Sequence, residues 1–178
     1  MKKKLLYIVN VDWFFVSHRL PIAKAAIERG YEVSLATSFS CKNINFKNLK
    51  IKKYSLNLDR RTLNPIKFFS NLFEIINIFK KVKPDIVHLI TIKPVILGCL
   101  AGIFYSKKPL LIASISGLGY IFTAVDFLST FRKKLILFLY KISFLYPKLI
   151  VIFQNKDDLY SICKETGLKK ENTFLING

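Results

Sequence analysis

An aromatic and basic segment directly follows the first predicted strand. Asp12, Trp13 and Phe14 stand where many nucleotide-binding domains place a glycine-rich phosphate loop, and His18 and Arg19 come shortly after them. An imidazole at the start of a helix suits a substrate hydroxyl or a phosphate, and a neighbouring guanidinium adds positive charge for an anion. Two interpretations stay open: His18 binds a ligand, or it is an exposed residue at the beginning of a helix.

Polar residues and glycines also follow three later predicted strands. Lys93, in the segment TIKP, offers a point charge to a phosphate, or is simply solvated. Ser116, Gly117 and Gly119 follow the next strand, where glycines allow a ligand close to the backbone or merely form a tight turn. Asn155 follows the strand after that. These residues are therefore candidates for substrate binding.

His88 lies inside the predicted strand DIVHLIT. A histidine in the middle of a strand is either a hydrogen-bonded core residue or a site residue, and the sequence leaves both interpretations open.

Several kinds of site are excluded by the motifs. A dinucleotide fingerprint would need a glycine where Phe122 stands, and the chain has no Walker loop, no GxSxG and no HExxH. Cys41, Cys99 and Cys163 are far apart and lack metal-ligand spacing. We expect reduced thiols in a cytosolic protein, and no metal site.

Apolar runs of strand length alternate with helical patterns. Strands are predicted at Lys4–Asn10, Tyr31–Thr37, Leu49–Ser55, Asp85–Thr91, Pro109–Ser114, Leu149–Phe153 and Thr173–Ile176. Helices are predicted near Ser17–Arg29, Pro65–Val82, Pro94–Tyr105, Phe127–Leu145 and Lys156–Thr166. Ser17 is predicted to cap the first helix, with Pro21 in its first turn. This alternation predicts an α/β fold, a single Rossmann-like doubly wound parallel sheet with its first strand central, whose ligands bind beyond the carboxyl ends of the strands.

The formal net charge of +18 calls for an explanation. Nucleic acid, an anionic membrane surface and a biased codon usage are the three alternatives. No RNP, KH or helix-turn-helix pattern is present, so we expect no nucleic-acid partner. The region Phe127–Lys148 mixes lysine and arginine with leucine, isoleucine and phenylalanine, as in an interfacial helix. No run of the chain reaches the length of an uncharged membrane span.

Four separated segments resemble the N-terminal domain of family 4 (group 1) GT-B glycosyltransferases. These segments are NVDWFFVSHRLPIAKAAIERGYEVSLAT, PDIVHLITIKPVILG, ASISGLGYIFT and VIFQNKDDLYSI. The nearest branch is the bacterial enzymes that extend undecaprenyl-diphosphate-linked sugars. The resemblance implies that residues 1–178 form the N-terminal, acceptor-side half of a GT-B fold, and that the C-terminal donor-binding domain is absent from this chain.

The resemblance also implies a function. Such enzymes move a sugar, with retention, from a nucleotide-sugar to a lipid-linked saccharide acceptor in surface polysaccharide or glycan synthesis. Trp13, Phe14 and Phe15 would suit the lipid or a sugar face, and His18, Arg19 and Lys93 the phosphates or hydroxyls. Many relatives carry a sugar-contacting histidine where this chain has Ser116 and Gly117, and many have glycines where it has Asp12 and Trp13.

The expected partners follow from that function. They are a lipid-linked sugar acceptor, an anionic membrane surface, and a C-terminal GT-B domain or separate donor-binding chain. No cofactor is expected in this chain, because the nucleotide-sugar would bind the other domain. The protein is expected to be cytoplasmic and peripheral on the inner face of the cell membrane. The alternative is a non-catalytic, membrane-docked acceptor-binding subunit that works with a separate donor-binding chain.

Overall fold

The computed structural model describes residues 2–40, 46, 48–58, 64–116 and 127–176. One sheet contains the strands β1 Lys4–Val11, β2 Glu32–Ser38, β3 Lys52–Ser55, β4 Ile86–Ile90, β5 Leu110–Ile115, β6 Leu149–Phe153 and β7 Thr173–Leu175. The described helices are α1 Asp12–His18, α2 Leu20–Glu28, α3 Pro65–Val82, α4 Ile92–Phe104, α5 Phe127–Ser143 and α6 Lys156–Thr166, with a 3₁₀ turn at Lys170–Asn172.

The seven strands are all parallel, in the order β3-β2-β1-β4-β5-β6-β7. This confirms the Rossmann-like doubly wound sheet. β1 is an interior strand as predicted, although the middle position belongs to β4. The strand order reverses between β1 and β4, and such a switch point is where open α/β sheets bind ligands.

Helices cover both faces of the inner strands, and alternate residues of a strand point to opposite faces. In β1, Leu6 and Ile8 join the core formed with α3, α4, α5 and α6, whereas Leu5, Tyr7 and Val9 join the core formed with α1 and α2. Burial on both faces explains the near-continuous apolar run of this strand.

Local signals set several helix ends. The Asn64 side chain accepts from the Ile66 N–H at 2.9 Å and so caps α3, directly before Pro65. The left-handed φ of 74° at Gly167 ends α6, a conformation that glycine adopts without strain. Within the described residues, no helix combines the length and apolar composition that crossing a bilayer requires.

Candidate functional site

The candidate residues gather at the carboxyl edge of the sheet. α1 begins where β1 ends, α4 begins after β4, Ser116 follows β5, and Asn155 follows β6. β1, β4, β5 and β6 are neighbours, so one edge collects all of these positions. Gly117 and Gly119 lie outside the described residues.

The predicted start of the first helix is wrong. Residues 12–16, predicted to precede the helix, form α1 together with Ser17 and His18, and Arg19 separates α1 from α2. Ser17 is not a cap: its hydroxyl donates to the Trp13 carbonyl one turn earlier, at 3.0 Å. His18 therefore lies in the last turn of α1 instead of at a helix start, and Pro21 lies in the first turn of α2.

Asp12 is fully buried and organises this turn. Its carboxylate accepts the Trp13 N–H at 2.9 Å, the Ser40 N–H at 2.9 Å and the Ser40 hydroxyl at 2.7 Å. A carboxylate at a helix N-terminus also interacts favourably with the helix dipole. We therefore expect Asp12 to position α1 against the segment after β2 instead of touching a substrate directly.

α1 presents aromatic rings on its outer side. Trp13 is 47% exposed and meets the Phe14 ring edge-on, at 5.8 Å between centroids. The Phe14 ring in turn stacks on the exposed His18 imidazole at 4.3 Å, with 14° between the planes. Phe15 points inward, is fully buried and packs on Tyr7, so it cannot meet a lipid or a sugar. Trp13, Phe14 and His18 thus form one continuous surface, called here the aromatic surface.

His18 is held in place on that surface. Its Nδ1 lies 2.6 Å from the Ser17 hydroxyl and 3.3 Å from the Phe14 carbonyl. The hydrogen bonds shown for this ring within the described residues use Nδ1, which leaves Nε2 for a ligand.

Arg19 reaches from the aromatic surface toward the sheet. Its Nη1 donates to the His18 carbonyl at 3.1 Å, while its Nε is buried without a hydrogen-bond acceptor among the described residues. Burial lowers the pKa of Arg19, an effect that the nearby Tyr7 hydroxyl partly opposes. An anion beside this half-buried guanidinium would supply the missing acceptor.

His88 is a buried core residue that supports this region. Its Nε2 lies 2.7 Å from the Ser114 hydroxyl, and its ring lies 5.3 Å from that of Tyr7. Burial and the Arg19 charge lower the pKa of His88 to about 3, so the imidazole is neutral near neutral pH. Of its two interpretations, the structure supports the core one.

Asn10 and Thr91 stand at the switch point, and sequence reasoning missed both. The Asn10 amide nitrogen donates to the Thr91 hydroxyl at 2.8 Å, and the Asn10 Oδ1 is buried without a donor among the described residues. Thr91 has φ 75° and ψ 167°, a region almost restricted to glycine. The one available signal was a polar Asn10 at the end of an apolar strand.

Thr91 precedes α4 without a side-chain hydrogen bond that caps it, and its hydroxyl accepts from Asn10. The first backbone N–H groups of α4 therefore lie at the same edge without a side-chain cap from Thr91, in an electrostatic environment that favours negative charge. Lys93, the second residue of α4, is half-buried there.

Asn155 caps α6. Its Oδ1 accepts the Asp158 N–H at 2.7 Å, and its Nδ2 donates to the Asp158 carboxylate at 2.9 Å. This reciprocal arrangement resembles a capping box. It explains the residue structurally, and contact with a substrate stays a prediction.

A pocket of about 290 Å³ lies at the opposite edge, where β4 and β5 begin. Two of its lysines contact groups of the fold: Lys107 pairs with Asp85 at 3.1 Å, and Lys108 donates to carbonyls at the end of α4. The described part of the chain contains no cluster of histidine, cysteine and carboxylate side chains that would hold a metal ion.

Comparison with known proteins confirms the resemblance drawn from the four segments. A family model described as glycosyl transferase 4-like matches residues 4–155. The chain is 27% identical over 158 residues to the Campylobacter jejuni N,N'-diacetylbacillosaminyl-diphospho-undecaprenol alpha-1,3-N-acetylgalactosaminyltransferase. That alignment covers 89% of this chain and 41% of the relative, so the chain spans less than half of the relative's length.

Solved structures show the same fold. A glycosyltransferase from Rickettsia africae superposes with a TM-score of 0.68 at 16% identity, over 99% of this chain and 43% of that one. A UDP-N-acetylglucosamine 2-epimerase from Rickettsia bellii superposes with a TM-score of 0.64 at 14% identity, over 100% and 45%. At such identities the likeness concerns the fold alone.

Proposed function

Because this chain belongs to the glycosyl transferase 4-like family, we propose that it forms the acceptor-binding half of a retaining glycosyltransferase. The enzyme would move a sugar from a nucleotide-sugar to a lipid-linked saccharide in surface polysaccharide or glycan synthesis. The observation that carries this proposal is the aromatic surface of α1, which lies beside the half-buried Arg19 at the carboxyl edge.

The chemistry of that edge suits a lipid diphosphate sugar. The exposed Trp13 ring and the half-buried Phe14 ring offer apolar surface to a sugar or to the first isoprene units. Arg19 and Lys93 bring positive charge for the diphosphate, and the His18 Nε2 offers a hydrogen bond to a phosphate or a sugar hydroxyl. The relative from Campylobacter jejuni carries an undecaprenol diphosphate in its name, which supports an acceptor of this class.

In the proposed reaction, the acceptor hydroxyl oxygen bonds to the anomeric carbon of the donor sugar. The bond between that carbon and the donor diphosphate breaks, and the hydroxyl proton leaves with the released nucleotide. This chain contributes positioning, because its residues hold the acceptor while a donor-binding domain, in the same protein or in a separate chain, holds the nucleotide-sugar. Stabilisation of the leaving diphosphate belongs to that donor side. The proposal requires no metal ligand from this chain, and it places the protein at the inner face of the cell membrane.

The test is a transfer assay on the full-length protein, by which we mean the natural gene product that contains residues 1–178. A detergent-solubilised undecaprenyl-diphosphate saccharide is offered with a panel of nucleotide-sugars, and product is followed by mass spectrometry. We expect turnover with at least one donor and a raised KM for the acceptor in Trp13→Ala. Residues 1–178 alone should transfer nothing, because the donor site is not formed by them.

The same assay distinguishes the proposed enzyme from the alternative, a non-catalytic acceptor-binding subunit. If the full-length protein binds the acceptor but transfers sugar only after a separate donor-binding chain is added, it is the non-catalytic subunit. Turnover by residues 1–178 alone would contradict the two-part proposal, and absence of acceptor binding by the full-length protein would contradict both.

A further inference from the structure

α3 carries a row of exposed apolar side chains. Ile66, Phe69 and Phe73 are 80%, 57% and 62% exposed, and Lys80 continues the row. Spacings of three and four place these residues on one side of the helix, opposite the side that packs in the core. Burial in the fold therefore does not account for the two phenylalanines.

α5 carries a second row, in which apolar and cationic residues alternate. Phe131, Phe138 and Leu145, the last just beyond the helix, are 60%, 59% and 74% exposed. Lys134 and Lys141 stand between them and are also exposed. The spacing is again three and four, so the rings and the ammonium groups share one side of the helix.

Both rows point away from the same side of the sheet. α3 and α5 flank α4, and all three helices contribute to one core cluster. We name this surface the outer helical face; it consists of Ile66, Phe69, Phe73, Lys80, Phe131, Lys134, Phe138, Lys141 and Leu145.

The positive charge of this face indicates an anionic partner. α3 and α5 contain seven lysine and arginine residues, and Glu74 is their one acidic residue. We propose that the outer helical face docks on an anionic lipid bilayer, with the phenylalanines in the headgroup region and the lysines at the lipid phosphates. A second copy of this chain, itself at +18, would bring like charges together and is disfavoured.

This docking surface contains the basic region that the sequence suggested, through α5, and adds α3 to it. The aromatic segment at Trp13 is not part of this surface, because α1 packs on the opposite face of the sheet from α5. The outer helical face binds lipid, and the aromatic surface of α1 stays free for an acceptor. Since helices that follow parallel strands start at the carboxyl edge, Ile66, in the first turn of α3, lies near the acceptor-binding edge. The inference deepens the proposed function and rests on it, because a lipid-linked acceptor has to be met at the bilayer surface.

The experiment is cosedimentation of the full-length protein with phosphatidylcholine vesicles, with and without phosphatidylglycerol. Two double variants remove the apolar and the cationic parts of the face: Phe69→Ser with Phe73→Ser, and Lys134→Gln with Lys141→Gln. The matched control is Ile22→Ser with Lys24→Gln, an exposed apolar residue and an exposed cation on α2, on the other side of the sheet.

We expect binding that needs phosphatidylglycerol and is released by salt. Loss of two cations should weaken it by roughly 10- to 30-fold, because each contributes about fivefold at an anionic surface. The phenylalanine variant should lose a similar amount, and the control should stay within about twofold of the wild type, less than one such cation. All variants should keep their melting temperature and their turnover on an acceptor in detergent.

Three results would overturn the inference. The first is unchanged vesicle binding in both double variants. The second is a lowered melting temperature of the phenylalanine variant, which would show that the face packs inside the full-length protein. The third is a dimer that the phenylalanine variant dissociates, with no lipid binding by the wild type. Sugar transfer in detergent without vesicle binding would reject only the docking, and vesicle binding without transfer would reject only the proposed function.

Discussion

The amide nitrogen of Asn10 donates a 2.8 Å hydrogen bond to the hydroxyl of Thr91 and so ties the end of β1 to the start of α4. Thr91 adopts φ 75° and ψ 167°, which a β-branched residue holds only under constraint from its surroundings. The bond therefore keeps a strained backbone at the point where the strand order reverses. Strain of this kind clusters at functional positions, which makes this pair a natural support for a ligand site.

Replacing Thr91 tests that strain. Thr91→Gly should be more stable than Thr91→Ala by about 0.5–2 kcal/mol, since glycine relieves roughly 1–3 kcal/mol of strain and costs roughly 0.5–1 kcal/mol of chain entropy. Both variants lose the hydroxyl, so the Asn10 bond cancels in the comparison. Chemical denaturation measures the difference, with Thr91→Ser as the control that keeps the hydroxyl. An alanine variant as stable as the glycine variant would mean that the backbone is unstrained.

Asp12 should matter for stability. Asp12→Ala removes the buried acceptor of two backbone N–H groups and of the Ser40 hydroxyl, and we expect a loss of about 1.5–3 kcal/mol. Ser40→Ala removes one of these bonds and should cost less. Trp13→Ala is the control, because the bond from Trp13 uses its backbone and survives the change. The free energy of unfolding of each variant is the measurement. An Asp12→Ala protein as stable as the wild type would contradict the role of Asp12 in positioning α1.

His18 should matter for activity. In the full-length enzyme, His18→Ala removes a hydrogen bond to the acceptor, at about 0.5–1.5 kcal/mol for a neutral partner and about 1.5–3 kcal/mol for a charged one. The expected fall in kcat/KM is several-fold to a hundredfold. The melting temperature should hardly change, because the ring is exposed. If activity per folded molecule stays within about twofold, which is less than any of those losses, His18 does not touch the substrate.

Acid should destabilise the protein through His88. The pKa of His88 is about 3 in the folded protein and 6.5 ordinarily. Between these two pH values the imidazole is protonated in the unfolded chain and neutral in the folded protein. Stability from the neutral ring is present above pH 6.5 and is lost as the pH falls toward 3. Between pH 7 and 5 the wild type should lose about 2 kcal/mol more than His88→Gln. Denaturation curves at several pH values measure this, and parallel curves for both proteins would contradict a buried neutral His88.

The regular elements follow largely from local sequence. α3 begins where Asn64 and Pro65 predict it, because the cap acts on backbone groups two and three residues away. β6, predicted at Leu149–Phe153, has those bounds in the structure, since it is a short apolar run between turn residues. The family could also be predicted, because its four segments keep their order along the chain.

The sequence by itself thus determined the α/β alternation, the parallel sheet and the edge at which polar residues gather. Only the tertiary structure decided that Asp12–His18 is a helix, because Asp12 finds its partner Ser40 28 residues away. It also decided that Trp13 is exposed while Phe15 is buried, and that α1 and α5 lie on opposite faces. The strain at Thr91 was invisible for the same reason, since the Asn10 that holds it is 81 positions distant. Periodicity reports the interactions of near neighbours, whereas these features depend on groups that meet only when the sheet has formed.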